Sequence, residues 1–93
     1  MITSIARPRL SPKVRLRLDR RTGRSLLLYP ETGLELNNSA TEIAQLCTGD
    51  HTVDDIAGLV ALAYDDASPA DIRRAVHDFL NHLAGRGLLQ GLQ

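Results

Sequence analysis

The sequence predicts an α+β domain in which a three-stranded antiparallel sheet is followed by a three-helix bundle. Three observations carry this. Residues 13–18 alternate strictly between cationic and apolar side chains, a period of two. Leu26, Leu27 and Leu28 follow in a run bounded by turn-forming residues. Beyond Asn37 the apolar spacing changes to that of helices, and each helix has its own start signal. Strands first and helices after is the α+β order.

Residues 1–12 read as an N-terminal arm ahead of a single domain, 13–93, because Pro8 and Pro12 interrupt it and remove backbone donors. The first strand puts Val14, Leu16 and Leu18 on one face and Lys13, Arg15 and Arg17 on the other. The polar stretch Asp19 to Arg24, with Thr22-Gly23 inside it, is a hairpin loop. Ser25 to Tyr29 lacks alternation, which suits a central strand covered on both faces. Pro30-Glu31-Thr32-Gly33 is a turn, and Leu34 to Asn37 alternates again as the third strand.

The spelling Ser39-Ala40-Thr41-Glu42 predicts a capping box opening the first helix, with Gly49 as its stop. Thr52 caps the second helix, with Asp54 and Asp55 at its positive end. Ser68-Pro69 opens the third, which runs to Gly85 and Gly87, after which Leu88-Leu89 fold back. The expected core is Val14, Leu16, Leu36, Ile43, Ile56, Val60, Val76, Phe79 and Leu83. A second helix, a short link and a third helix ending in Gly-Arg-Gly-Leu-Leu are winged helix-turn-helix-like.

Composition limits what such a domain can do. With 93 residues there is one modest core, and one Phe, two Tyr and no Trp leave little to wall a deep ligand pocket. Net charge is zero, yet eight of the eleven cations lie in the first 24 residues, opposed there by Asp19 alone. That asymmetry points to an acidic or nucleic-acid partner, or to a solvated face. A single cysteine, no signal-peptide pattern and no long apolar window lead to the expectation of a cytoplasmic protein with no membrane partner.

No catalytic or metal-binding set is legible, and neither a cofactor nor a metal is expected. His77 and His82 are five residues apart, about 140° round a helix, too far to share a metal. Cys47 has no second cysteine nearby and reads as a small buried hydrophobe. Asp54-Asp55 and Asp65-Asp66 flank helix ends, where dipole complementarity accounts for them. The alternative to a protein-binding domain is a small winged-helix DNA-binding regulator. Against it, the third helix offers Arg73 and Arg74 but also Asp71 and Asp78, and the cationic cluster sits on the hairpin instead.

The sheet edges discriminate further. The first strand is guarded by Pro12 and an Arg/Lys face, a common way of refusing further pairing. The third, Leu34-Glu35-Leu36-Asn37, has no Pro, Lys or Arg, so an extended peptide can add to it. A helix, a loop or a second copy of the chain, as a homodimer, would also cover that edge.

Four segments in order, together with Leu46-Cys47-Thr48-Gly49, carry a resemblance to a known family. They are Arg7-Pro8-Arg9-Leu10, Arg24 to Glu31, Gly33 to Ala40, and Arg86-Gly87-Leu88-Leu89. In this combination, from about Arg7 to Leu89, the chain resembles the PqqD family of pyrroloquinoline quinone biosynthesis. It departs at Thr48, where the family often has an acid, and at Asp65, where Pro is common. The resemblance implies a winged-helix-like domain that recruits precursors of ribosomally made, modified peptides. It implies binding of a precursor peptide like PqqA and presentation to a radical S-adenosylmethionine enzyme like PqqE. It also implies that the peptide lies as an added strand on Leu34, Glu35, Leu36 and Asn37, against the third helix. Arg73, His77 and Leu80 are the residues expected to meet its side chains there, and Arg7, Pro8, Arg9 and Leu10 are the expected contact with the enzyme.

Overall fold

The computed structural model describes residues 2–29 and 32–92. Its elements in chain order are β1 (Arg9–Leu10), β2 (Arg15–Asp19), β3 (Arg24–Tyr29), β4 (Thr32–Leu36), α1 (Asn38–Gln45), α2 (Val53–Ala63), α3 (Pro69–Gly85) and β5 (Leu89–Gln90). The expected α+β architecture is present. β2, β3 and β4 form an antiparallel sheet in that order, so β2 and β4 are its edges. The first two residues of the turn expected over 30–33 lie outside the described residues, and Thr32 and Gly33 belong to β4.

Two short strands had no signal in the sequence. β1 pairs antiparallel with β5, Arg9 opposite Gln90 and Leu10 opposite Leu89, tying the two ends of the chain together. Residues 2–11 are consequently built into the body and do not extend from it as an arm. Ile2, Ala6 and Pro8 are buried. The N–H groups of Val53 and Asp54, at the start of α2, donate to the carbonyls of Ala6 and Ser4 at 2.9 and 3.1 Å. Gly49 N–H donates to Pro8 O, and Ser11 N–H to Leu88 O at 2.8 Å. The prolines do block helix here, but they do not prevent an extended segment from being stitched on both sides.

Helix starts follow local chemistry, with one shift. α1 is capped by Asn37, whose Oδ1 accepts from Ala40 N–H at 2.8 Å, and the expected Ser39–Glu42 box is not formed. Asn competes as well as Ser for a cap, and the earlier position starts the helix two residues sooner. α1 ends at Gln45 with Leu46 as its C-cap, and Gly49, at φ +89°, serves the following turn. α2 has a complete capping box: Asp55 N–H donates to Thr52 Oγ1 at 3.0 Å, and Thr52 N–H donates to Asp55 Oδ2 at 3.1 Å. α3 begins with Pro69 after Ser68, as expected, though the Ser68 side chain makes no capping bond.

The core holds Val14, Leu36, Ile43, Ile56, Val60, Val76 and Leu83 as expected, with Leu27, Val53 and Leu80 added. Leu16 and Phe79 are half-buried against it. For Phe79 the reason is rotation: α3 turns Val76, Leu80 and Leu83 inward, leaving Phe79 on the rim of the stripe. β3 is central but covered on one face only, since Leu27 is buried while Leu26 and Leu28 stay half-exposed. On the covered face burial declines from β4 to β2: Leu36 is 5% exposed and Leu18, in the same cross-strand row, 61%. The helices therefore sit beneath β3 and β4, and β2 overhangs them.

Candidate peptide-binding site

β4 is paired along one side, to β3, in the register Ser25–Leu36, Leu26–Glu35, Leu27–Leu34, Leu28–Gly33. In an antiparallel strand alternate residues direct N–H and C=O to either side, so an edge strand offers every second residue to a newcomer. Leu34 and Leu36 project to the covered face, half-buried and buried respectively. Glu35 projects to the other face, where its carboxylate pairs with the Arg24 guanidinium. Both partners of that pair are more than half exposed, so it contributes little stability. Asn37 has left the strand: its side chain caps α1 and accepts from Ser39 Oγ at 3.1 Å, and its carbonyl accepts from Thr41.

Beside the end of β4 lies an apolar cleft of about 310 Å³. Its walls are Ser39 and Ile43 from α1, Val60, Tyr64 and Ala67 from α2 and the loop after it, and Asp71, Ile72, Ala75 and Val76 from α3. The cleft exists because Ser39, Ala67 and Ala75 are small where three helices converge. Tyr64 also borders a wider polar hollow of about 790 Å³ lined by Arg24, Glu35, Leu36, Asn37, Thr41 and Glu42, with Gly23, Ser25 and Asn38. The edge strand, the cleft and the hollow thus share one end of the domain.

The residues expected on α3 are distributed differently. Leu80 is fully buried and belongs to the core, so it presents nothing to a ligand. Arg73 is exposed and His77 half-buried, on the flank of α3 that also carries Asn81 and Ala84. That flank faces the N-terminal segment: Ile2 N–H donates to Asn81 Oδ1 at 2.9 Å, and Ile2, Asn81 and Ala84 line a common hollow. The flank turned to Ser39 and Ile43 of α1 carries Asp71 and Ala75, with Phe79 next in the same row. Helical periodicity defines the buried stripe of α3 but treats its two flanks alike. The row of small and polar residues Asp71, Ala75 and Ser39 was the available sign, and it is a weak one.

The expected enzyme-contact residues are likewise committed within the chain. Pro8 is fully buried, and Leu10 is half-buried with its N–H donating to Cys47 O at 3.1 Å. The exposed side chains of Arg7 and Arg9 donate to Asp50 O at 2.8 Å and Gln90 Oε1 at 3.1 Å.

Among the described residues two groups have displaced acidity. Burial pushes the Cys47 thiol up to about 12, and its Sγ–H donates to Ile43 O at 3.2 Å, which is the state of an inert packed thiol. Asp55 is held below the usual carboxylate value, first by the Thr52 backbone N–H and then by the Thr52 hydroxyl. Among the described residues no three His, Cys, Asp or Glu side chains gather as a metal site would require, and no helix is long and apolar enough to cross a membrane.

Residues 24–89 match the model of the family described as coenzyme PQQ synthesis protein D, PqqD. The chain belongs to the PqqD family. It is 34% identical to the PqqA binding protein of Methylococcus capsulatus over 78% of this chain and 80% of that one. It also superposes on the solution structure of the PqqD truncation of Methylobacterium extorquens PqqCD, a stand-alone recognition element for ribosomally synthesised and post-translationally modified peptides. There the TM-score is 0.74 at 36% identity, covering 89% of this chain and 87% of that one. TbiB1, solved in complex with the TbiA(beta) leader peptide, has the same fold, with a TM-score of 0.75 at 22% identity over 91% and 98% of the two chains. The PqqD fold seen in these structures is thus the fold of this chain as well.

Proposed function

We propose that this PqqD-family chain is a non-catalytic adaptor that binds a PqqA-like precursor peptide as an added strand on β4 and presents it to a radical S-adenosylmethionine enzyme like PqqE. The observation that carries the reading is an edge strand, Thr32–Leu36, joined through the hollow that Leu36 and Tyr64 share to an apolar cleft walled by α1, α2 and α3. Main-chain pairing supplies sequence-tolerant affinity, and the cleft takes one apolar side chain of the peptide. The names of the relatives agree with peptide binding. The cytoplasmic placement and the absence of a cofactor belong to the same reading.

The contact set on α3 is Asp71, Ala75 and Phe79, in place of Arg73, His77 and Leu80. Titrating isotope-labelled chain with a PqqA-type peptide should shift the amides of residues 33–37 together with those of Asp71, Ala75 and Phe79. Ala75→Arg, at an exposed helix position, should block the cleft and weaken binding at least tenfold. Arg73→Glu on the opposite flank should leave affinity within twofold, and both variants should change stability by less than about 0.5 kcal/mol. Shifts clustered on residues 14–18 would mean that the peptide uses β2, and the reading would fail.

A further inference from the structure

The sheet has a face that no helix covers, and its chemistry is unlike the rest of the surface. The register sets its rows: Arg15, Leu28 and Gly33; Arg17, Leu26 and Glu35; Asp19 and Arg24. Alternation turns these away from Leu16, Leu27 and Leu34, which face the helices. Leu26 and Leu28 lie half-buried in the middle, and Arg15, Arg17 and Arg24 stand exposed around them. Lys13, Arg20 and Arg21 extend the positive charge at the two ends of β2. From Lys13 to Tyr29 there are six cations and one acid, Asp19. Among the described residues the one ion pair is Arg24–Glu35, which leaves the other five cations of this stretch unneutralised.

We infer that this face docks an acidic protein surface, with Leu26 and Leu28 as its dry centre and Arg15 and Arg17 as its charged rim. Five of the six cations are Arg, the residue that interfaces favour over Lys because its planar fork grips carboxylates in pairs. An apolar centre inside a cationic rim is the anatomy of a protein interface. A nucleic acid would gain nothing from two leucines, and no aromatic ring lies among these rows for a base to stack on.

Taken with the adaptor reading, on which this identification rests, the partner is the enzyme that receives the peptide. The face and β4 are contiguous, since Gly33 and Glu35 of β4 belong to both. A peptide added beyond β4 would therefore place alternate side chains in the same plane as Leu26 and Leu28. The enzyme would meet sheet and peptide as one continuous surface.

The test titrates the full chain against the purified radical S-adenosylmethionine enzyme, with and without precursor peptide, at low and high salt. The double variant Arg15→Glu/Arg17→Glu should weaken enzyme binding at least tenfold while its melting temperature and its peptide affinity hold. Arg20→Glu/Arg21→Glu, further from the leucines, should slow association several-fold and leave dissociation nearly unchanged. Wild-type binding should weaken as salt is raised. If the wild-type chain binds peptide and enzyme and the Arg15/Arg17 variant binds the enzyme equally well, the face is overturned and the adaptor reading stands. If the wild type binds neither, the adaptor reading fails and this assignment with it. Binding of double-stranded DNA that is steeply salt-dependent and lost in the same double variant would reassign the face to nucleic acid.

Discussion

Two arginine-rich stretches follow one another in this chain, residues 7–9 and residues 13–24, and the fold uses them in opposite ways. In the first, Pro8 is buried and the flanking arginines donate hydrogen bonds to Asp50 O and Gln90 Oε1. In the second, Arg15, Arg17, Arg20 and Arg21 are exposed along an overhanging hairpin. The difference lies in the backbone between the charges. Residues 4–11 bond to residues 47–54 and 88–91 on either side, so their charged side chains fold over the body. β2 is paired on one side alone, and its charges remain available. Cationic composition therefore does not identify a contact surface until the pairing of the backbone is known.

The largest break in this comparison is removal of the first stretch. A chain beginning at Ser11 loses the burial of Ile2, Ala6 and Pro8 and uncovers the start of α2 and the β5 segment. We expect a loss of roughly 4 kcal/mol or more, a large part of the about 5–15 kcal/mol that holds such a domain. In a melt followed by circular dichroism the midpoint should fall by about 15–30 °C. A truncated chain melting as the full one does would show that these residues are only appended to the body.

A smaller break concerns the same junction from the other end. Gly91 has φ +73°, a Cβ built there would lie 2.4 Å from Arg7 O, and Arg7 N–H donates to Gly91 O at 3.2 Å. Gly91→Ala therefore combines a left-handed backbone with a clash against main chain, and should cost about 1–3 kcal/mol in chemical denaturation. The same substitution at Gly23 in the hairpin has equal φ strain but nothing within 4 Å, so it should cost less.

Single charges sharpen the contrast. Arg7→Ala removes a hydrogen bond to Asp50 O at an exposed site and should cost about 0.5–1 kcal/mol. Arg17→Ala should stay within about 0.5 kcal/mol of wild type in the same denaturation experiment. A larger cost at Arg17 would mean that the hairpin charges serve folding and are not free for a partner.

The smallest effect is a titration. The carboxyl of Asp55 is lowered in the folded state from its ordinary value of 3.8, chiefly by the backbone N–H of Thr52 and then its hydroxyl, with a lesser contribution from Arg7. A depressed folded pKa means that its stabilisation is present above the unfolded value and disappears as pH falls through the folded one. Following the Asp55 carboxyl by NMR should give a midpoint below 3.8. Thr52→Ala should move it up further than Arg7→Ala does.

Local signals are legible where the chemistry is confined to a few residues. The Thr52 cap, Pro69 at the start of α3, the Thr22-Gly23 turn and the order of strands all follow from side chains acting on their own backbone. Asn37 is hidden as the α1 cap because it also completes the alternation of the third strand, and one residue serves as the hinge between both elements. β1 and β5 were illegible because each has two residues and its partner lies some eighty positions away. No window along the chain contains that pairing.

What the sequence determined by itself was the three strands of the sheet, the three helices, their order and the apolar stripe of each helix, because periodicity and capping are properties of consecutive residues. The edge character of the third strand belongs here too, since a meander of three leaves its last strand open on one side. Tertiary structure alone decided three things: that Phe79 turns to the rim while Leu80 is sealed inside, that the Asp71–Ala75 flank of α3 rather than the Arg73–His77 flank lines the cleft with α1, and that residues 2–11 are built into the body through the buried Ile2, Ala6 and Pro8. Each depends on how one rigid element is rotated or docked against another. The amphipathic pattern of α3 is compatible with either flank turned to α1, and only packing against α1, α2 and the N-terminal segment selects one of them.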